Sequence, residues 1–290
     1  MKISNGVKEK NQQIDRVCGM DLTDIQDVVK SSHKGELFYF CGKECEDKFK
    51  KNPDKFQREP FIKIKNLHKS FKIGKIETKV LKGLNIHIWK GDFVVIIGSS
   101  GSGKSTLLNI MGLLDRPSSG QIFLNGKDIS LLEDERRVEL RSSTFGFVFQ
   151  QYNLIPWFTA YENVILPLIF AGKEINKDKL ENKFNEIGLK HRMEHHPFEL
   201  SGGEQQRVAL LRSLSNNPEI ILGDEPTGNL DSVTGDKILE MLIDLNKSYK
   251  KTLVIVTHDA DIAEKADQII ALKDGKLVKD HHSHKKIYTE

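Results

Sequence analysis

The sequence predicts an α/β fold with a small α+β appendage at its N-terminus, and three observations predict it. First, the run Asp92-Phe93-Val94-Val95-Ile96-Ile97 leads through a glycine- and serine-rich loop into Thr106-Leu107-Leu108-Asn109-Ile110-Met111. A continuous apolar run reads as a buried strand, and the segment behind the loop reads as a helix. Second, Ile220-Ile221-Leu222-Gly223 is another apolar run, and it ends in the paired carboxylates Asp224 and Glu225. Third, all 3 cysteines lie between Cys18 and Cys45, which marks a separate N-terminal module.

That module comes first in the chain. Leu37 to Phe40 reads as a short strand, and Glu44 to Lys51 as a helix ended by Asn52-Pro53. Cys41 then sits at the strand end and Cys45 in the first helical turn. A helix N-terminus favours the thiolate that metals bind. The spacing is Cys18-x22-Cys41-x3-Cys45. Three cysteines do not make a closed disulfide set, and the compartment is expected to be reducing. Thiolates suit Zn²⁺ or Cu⁺ better than hard cations, and a structural Zn²⁺ usually takes a fourth ligand. His33 is the obvious candidate, with Asp and Glu neighbours competing. The competing reading is a small domain whose cysteines are merely buried and reduced. Asn52 to Glu59 is polar with one proline and reads as the linker.

Beyond the linker, residues 61–66, 84–90 and 120–125 read as strands of a small β layer. Strands over 92–98, 144–150, 220–225 and 252–257 form the buried sheet, with helices starting near Lys104, Thr234 and Asp259. A helical subdomain spans about 151–215. The loop Gly98-Ser99-Ser100-Gly101-Ser102-Gly103-Lys104-Ser105-Thr106 fits the pattern of a phosphate cradle. Its glycines let backbone amides turn inward, and the following helix offers its positive end. Lys104 can reach the β- and γ-phosphates, and the Ser105 hydroxyl can hold Mg²⁺. Asp224 would hold Mg²⁺ too, and Glu225 is placed to act as general base. Leu200-Ser201-Gly202-Gly203-Glu204-Gln205 opens a second helix toward an anion. One ATP needs only one such cradle, so this second helix start implies a second subunit.

With these motifs in this order, residues 61–279 resemble the ATP-binding subunits of ABC transporters. The resemblance implies a P-loop NTPase fold and ATP hydrolysis with Mg²⁺. Gln150 resembles the family's Q-loop glutamine and so joins Ser105 and Asp224 as a Mg²⁺ residue. His258 resembles the switch histidine, and Asp231 the D-loop aspartate. Phe71 resembles the aromatic that stacks on adenine, with Phe where Tyr is usual. Catalysis falls to Glu225, His258 and Lys104. Ser201, Gly202, Gly203, Glu204 and Asp231 serve the partner's ATP in a homodimer. Gly112 to Gly120, Leu154-Ile155-Pro156 and Asp224 to Asp231 resemble the lipoprotein-releasing and macrolide-exporter type, which implies separately encoded permease subunits facing Leu154 to Gly172. Two departures are Leu211-Arg212-Ser213 for the usual Ala-Arg-Ala, and Gly223 where a bulkier residue is common; neither touches a chemical group.

Residues 14–57 resemble the YHS or TRASH-type metal-binding module. The resemblance rests on Cys18-Gly19-Met20, Tyr39-Phe40-Cys41, the spacing to Cys45, and Lys48-Phe49 ahead of Pro53. It implies a metal at Cys18, Cys41 and Cys45. Alternative readings are a metal-responsive or metal-exporting ABC system, or a soluble ABC ATPase outside transport. The soluble class usually carries two ATPase units or coiled-coil insertions, and neither is found here.

Composition agrees. A chain of 290 residues suits two domains. With 44 Lys+Arg against 41 Asp+Glu there is no electrostatic case for nucleic acid. No apolar run approaches the ~20 residues that span a bilayer. Met1-Lys2-Ile3-Ser4-Asn5 opens no signal segment. The expected place is the cytoplasm, peripheral on the membrane through the permease. His281, His282 and His284 lie in a polar tail over 280–290, read as disordered.

Overall fold

The computed structural model describes residues 14–278 apart from 24 and 26, so the histidine-containing tail lies outside the described residues. The N-terminal module holds a hairpin of β1 (Val29–His33) and β2 (Glu36–Phe40), then α1 (Lys43–Lys51) and α2 (Pro53–Phe56). The larger unit begins with β3 (Ile62–Ile73), β4 (Ile76–Ile88), β5 (Phe93–Gly98) and α3 (Lys104–Met111). Then come β6 (Ser119–Leu124), β7 (Lys127–Asp128), α4 (Asp134–Thr144) and β8 (Phe145–Phe149). Helices α5 (Ala160–Phe170), α6 (Lys177–Glu186) and α7 (Gly202–Ser213) make the helical subdomain. The chain returns through β9 (Ile220–Asp224), α8 (Ser232–Tyr249), β10 (Thr252–Val256), α9 (Ala260–Glu264), β11 (Gln268–Lys273) and β12 (Lys276–Leu277).

Two sheets stack in the larger unit. The larger has the order β12-β11-β5-β10-β9-β8, parallel except at β12. The smaller is antiparallel, in the order β4-β3-β6-β7. The residues of β5 show why it reads as uniformly apolar. Val94 and Ile96 pack toward the antiparallel layer with Ile62, Leu84 and Leu107. Phe93, Val95 and Ile97 pack on the other face against Ile238 and Leu242 of α8. A parallel strand covered on both faces has no position for a polar residue. The helical subdomain keeps its own cluster around Val164, Phe184, Leu189 and Val208.

Several elements carried no clear sequence signal. The hairpin of β3 and β4 runs on to Ile73 and Ile76, far past the short strands expected, with lysines along its exposed end. Helix α4 is highly charged, and its only buried residues are Arg137 and Thr144. The stretch read as a linker contains α2. Asn52 caps it, accepting the Lys55 N–H at 3.2 Å, and Phe56 is buried edge-on to Trp89 at 5.0 Å. One aromatic in a polar stretch is enough to dock it. Trp89, just past β4, belongs to the module's apolar cluster with Val17, Phe40, Phe49 and Phe56.

Candidate nucleotide site and metal centre

The parallel register brings four loops to one edge. Ile96 stands beside Val256, Val256 beside Asp224, and Asp224 beside Phe149. The P-loop after β5, His258 after β10, Glu225 after β9 and Gln150 after β8 are therefore neighbours. The carboxyl ends of parallel strands are where α/β sheets hold ligands.

Gly98 ends β5 with φ 149°, and a Cβ there would lie 2.1 Å from the Leu272 carbonyl oxygen. Only glycine fits that approach. Lys104 Nζ donates to the carbonyls of Gly98 at 2.9 Å and Ser99 at 3.0 Å, which lays its ammonium along the loop. Ser102 is buried, and its hydroxyl has no hydrogen-bond partner among the described residues. An ammonium, a buried hydroxyl and the open amides of α3 converge on one anion cradle.

Ser105 Oγ donates to Asp224 Oδ1 at 3.0 Å. Burial pushes the Asp224 carboxyl up; the Ser105 bond opposes this, Glu225 adds to it, and Lys104 opposes it. A hydroxyl and a carboxylate so close are hard oxygen donors, the type Mg²⁺ takes. Glu225 has φ 47°, a left-handed conformation that costs a non-glycine residue about 1–3 kcal/mol. It brings the carboxylate to His258, whose Nδ1 lies 3.0 Å from one oxygen and 3.2 Å from the other. The Glu225 N–H is held by the Val256 carbonyl at 2.9 Å, so the geometry is fixed from β10 as well.

Gln150, expected at Mg²⁺, directs its amide nitrogen elsewhere. It donates to Asn229 Oδ1 at 3.1 Å, and Asn229 Nδ2 donates back to the Gln150 carbonyl at 2.9 Å. The glutamine is thereby tied to the segment that leads to Asp231. Phe71 lies on β3, exposed, with the Lys69 ammonium 4.7 Å from its ring centre. Ser201 caps α7 reciprocally with Glu204: its N–H donates to the carboxylate at 2.8 Å, and its Oγ accepts the Glu204 N–H at 3.3 Å. Gly203 faces Thr234, whose Cγ2 would be 2.4 Å from a Cβ there. Asp231 caps α8 by accepting the Thr234 N–H at 3.0 Å. The start of α7 and the start of α8 are thus packed against each other, with Ser201 and Asp231 exposed. Sequence spacing gives no sign of one further residue, Arg212. Its guanidinium donates to the carbonyls of Tyr152, at 2.8 Å, and Asn153, both left-handed, and so fastens the turn after Gln150.

In the module, Asp15, Cys18, Cys41 and Cys45 place ligand atoms within 4.8 Å of one another. Sulfur separations are 3.7 Å for Cys18–Cys41 and 3.6 Å for Cys41–Cys45, far beyond a disulfide bond of about 2.05 Å. Asp15 is fully buried. Its Oδ1 accepts the amides of Val17 at 2.7 Å and Cys18 at 3.3 Å, and its Oδ2 that of Cys41 at 2.7 Å. Burial and the charge of Cys41 push its carboxyl up to about 7. Burial, above all, pushes the Cys18 thiol well up. Acids crowded out of water in this way favour either protons or a cation. His33 does not join the group. It pairs with Glu36 at the turn of the hairpin, whereas Cys41 follows Phe40, which pairs with Val29 at the other end. Five residues of strand, about 16 Å, separate the two ends. The His33 ring packs edge-on to Phe49 at 6.0 Å.

Comparison with known proteins places the chain in a family. Residues 81–228 match the family model described as ABC transporter, and residues 13–59 match that of the YHS domain. The chain is 47% identical over 213 residues to a lipoprotein-releasing system ATP-binding protein of Legionella pneumophila, covering 73% of this chain and 94% of the relative. This chain belongs to the ABC transporter ATP-binding family. It is also 45% identical over 223 residues to a macrolide export ATP-binding/permease protein of Marinobacter nauticus, but spans only 34% of that protein. A solved dimeric ATP-binding cassette, bound to ADP and Pi in a post-hydrolysis state, aligns with TM-score 0.70 and 45% identity over 74% of this chain and 96% of that one. ABC cassettes of this family are ATPases that use ATP and Mg²⁺, and the Ser105–Asp224 pair supplies donors that fit the ion.

The Glu225–His258 pair generates a direct test for this ABC ATPase. Glu225→Gln keeps the shape and removes the base. It should lower steady-state ATP turnover by roughly 10²–10⁴-fold with ATP affinity retained. Turnover at the parental rate would remove Glu225 from the chemistry.

Proposed function

We propose that the chain is the ATP-hydrolysing subunit of a membrane transporter, that it works as a head-to-tail homodimer around two ATPs, and that its N-terminal module binds a soft or borderline metal. The observation that carries the first part is the Glu225–His258 pair set beside Ser105–Asp224 at the P-loop edge. Lys104 and the α3 amides hold the phosphates. Ser105 and Asp224 would hold Mg²⁺, which when bound would supply neutralising charge to the phosphates. Glu225 takes the proton of the attacking water, and His258 orients the Glu225 carboxylate through Nδ1. Most of the rate comes from positioning and charge neutralisation. Phe71 stacks on the adenine. Gln150, tied to Asn229, connects the site to the helical subdomain.

The dimer is supported by the exposed cap at Ser201, which a single chain's own P-loop does not need, and by the dimeric solved cassettes. With ATP present, the Glu225→Gln variant should run as a dimer in size-exclusion chromatography, and without nucleotide as a monomer. Ser201→Arg puts bulk where the partner's γ-phosphate sits and should abolish the dimer. A dimer indifferent to both ATP and Ser201→Arg would count against the sandwich.

A permease partner is supported by apolar residues left on the surface of the helical subdomain. Trp157, Ile169 and Phe170 are exposed, and Phe170 lines a groove of about 660 Å³ whose opposite wall includes Val138 on α4. No helix among the described residues is long and apolar enough to cross a membrane, so the spans would come from that partner. Such an assembly lies on the cytoplasmic face.

The metal reading is supported by the sulfur and carboxylate group of the module. The tag-free protein should carry about one Zn²⁺ or Cu⁺ per chain by elemental analysis, with the histidine tail trimmed. Cys41→Ser with Cys45→Ser should lose that metal and keep nucleotide binding, since the ATP-binding unit contains no cysteine. Absence of stoichiometric metal in the parent would favour cysteines that are merely reduced. The same group favours a second reading, in which the transporter responds to metal or exports it; an ATPase rate that changes on metal addition in the presence of the permease would distinguish it.

A further inference from the structure

The turn Asp15–Met20 does two things at once. On one side it presents ligand atoms. Asp15 Oδ1 accepts the amides two and three residues on, the Asp15 N–H donates to the Met20 carbonyl at 2.9 Å, and the Gly19 N–H donates to the Asp15 carbonyl at 2.9 Å. Gly19 is left-handed, with φ 83°. So closed, the turn aims the Asp15 carboxylate and the Cys18 sulfur at one point, where Cys41 and Cys45 also arrive.

On the other side, the carbonyls of the same turn grip the ATP-binding unit. The Val17 carbonyl accepts the indole N–H of Trp89 at 2.8 Å, and the Cys18 carbonyl accepts the backbone N–H of His87 at 2.8 Å. A Cβ on Gly19 would lie 2.6 Å from that same His87 nitrogen. The contact is therefore backbone against backbone, with no room for a side chain. Lys48 adds a bond to the Asp267 carbonyl at 2.6 Å, and Lys55 an ion pair with Asp92.

We propose that the ion site and the dock are one equilibrium: a divalent cation of the Zn²⁺ type, held by Asp15, Cys18, Cys41 and Cys45, latches the module onto the end of β4. The proposal rests on the metal-binding reading above and goes beyond it in two ways. Asp15 is the fourth ligand, and binding of the ion is linked to contacts that the ion does not touch. A carboxylate with three thiolates is a tetrahedral set for Zn²⁺; a soft monovalent ion such as Cu⁺ gains little from the oxygen. Without a cation, the turn is tied to the end of β2 by the Cys41 N–H bond to Asp15 Oδ2. With it, Asp15 and Cys18 would also share an ion with Cys41 and with Cys45 of α1. Linkage is reciprocal, so the dock tightens the ion by the factor the ion tightens the dock.

The test uses the full-length protein, tag-free, stripped by chelator under reductant and then given Zn²⁺. Hydrogen exchange should slow by at least tenfold on Zn²⁺ addition in peptides over 15–20 and 86–92, and stay unchanged over 160–170. Trp89→Phe keeps the aromatic body and removes the indole donor, and Trp89 is not one of the ligand residues. Competition against a chromophoric chelator should show its Zn²⁺ affinity reduced about 2- to 10-fold, the worth of one hydrogen bond. Asp15→Ala should lose far more. Stoichiometric Zn²⁺ with unchanged exchange over 86–92, or with parental affinity in Trp89→Phe, overturns the latch while leaving metal binding intact. Parental affinity in Asp15→Ala overturns the fourth ligand. No Zn²⁺ uptake by the parent overturns the metal reading itself.

Discussion

The register of the parallel ladder β5-β10-β9-β8 is the constraint on which the nucleotide site depends. Each strand contributes one chemical element at its carboxyl end, and the ladder aligns those ends within two residues of each other. A parallel ladder cannot slip by one residue without exchanging its two buried faces. Here the faces are filled by different partners, α3 with the antiparallel layer on one side and α8 on the other. Packing thus fixes register, and register fixes the distances among Ser105, Asp224, Glu225 and His258. Gly223 fits this view. It pairs with Val148 and Ile255, and the nearest atom to a Cβ there would be 3.4 Å away, an ordinary contact. Its departure from a bulkier residue alters volume and leaves the ladder alone.

The strain at Glu225 follows from the same ladder. Strand β9 ends at Asp224, and a continued strand would carry the next side chain to the opposite face. The left-handed turn at Glu225 instead brings its carboxylate to His258, on the loop of the adjacent strand. About 1–3 kcal/mol of backbone strain is sustainable because the Val256 carbonyl holds the Glu225 amide and the Gly228 amide holds the Glu225 carbonyl at 3.0 Å. The strained residue is thereby held from two sides, at the point where the strand gives way to the loop.

What was legible in the sequence was what short-range chemistry dictates. The P-loop, the Asp224-Glu225 pair and the Ser201 cap are contiguous residues whose types answer a local requirement, and the fold class follows from the apolar runs beside them. Gln150 at Asn229 and the Arg212 clamp on Tyr152 and Asn153 join segments about 60 to 80 residues apart, and no spacing rule reaches that far. The fourth member of the sulfur and carboxylate group was hidden for a related reason. His33 has the side chain a metal prefers, yet hairpin pairing carries it to the wrong end. Asp15 is an unremarkable acid until its turn closes. Polar stretches misled in the same direction: α2 rests on the single ring of Phe56, and α4 on two buried polar residues.

The two sites lie at opposite ends of the same strands, and that separation decides how one can act on the other. The module contacts Trp89, Asp92 and Asp267, at the beginnings of β5 and β11, whereas the P-loop starts at the end of β5. Six residues of β5 span about 20 Å. Two unit charges that far apart interact by about 0.8 kcal/mol at an effective dielectric of 20. A charge at the sulfur and carboxylate group would therefore be felt weakly at the P-loop. An influence that does cross must pass through packing, along strands whose both faces are already filled. Rigid elements of that kind transmit displacement at their ends and resist bending in between. A module fastened at that end would then act on where the start of β5 sits, and through it on the placement of the P-loop, with the Glu225–His258 contact left as it is.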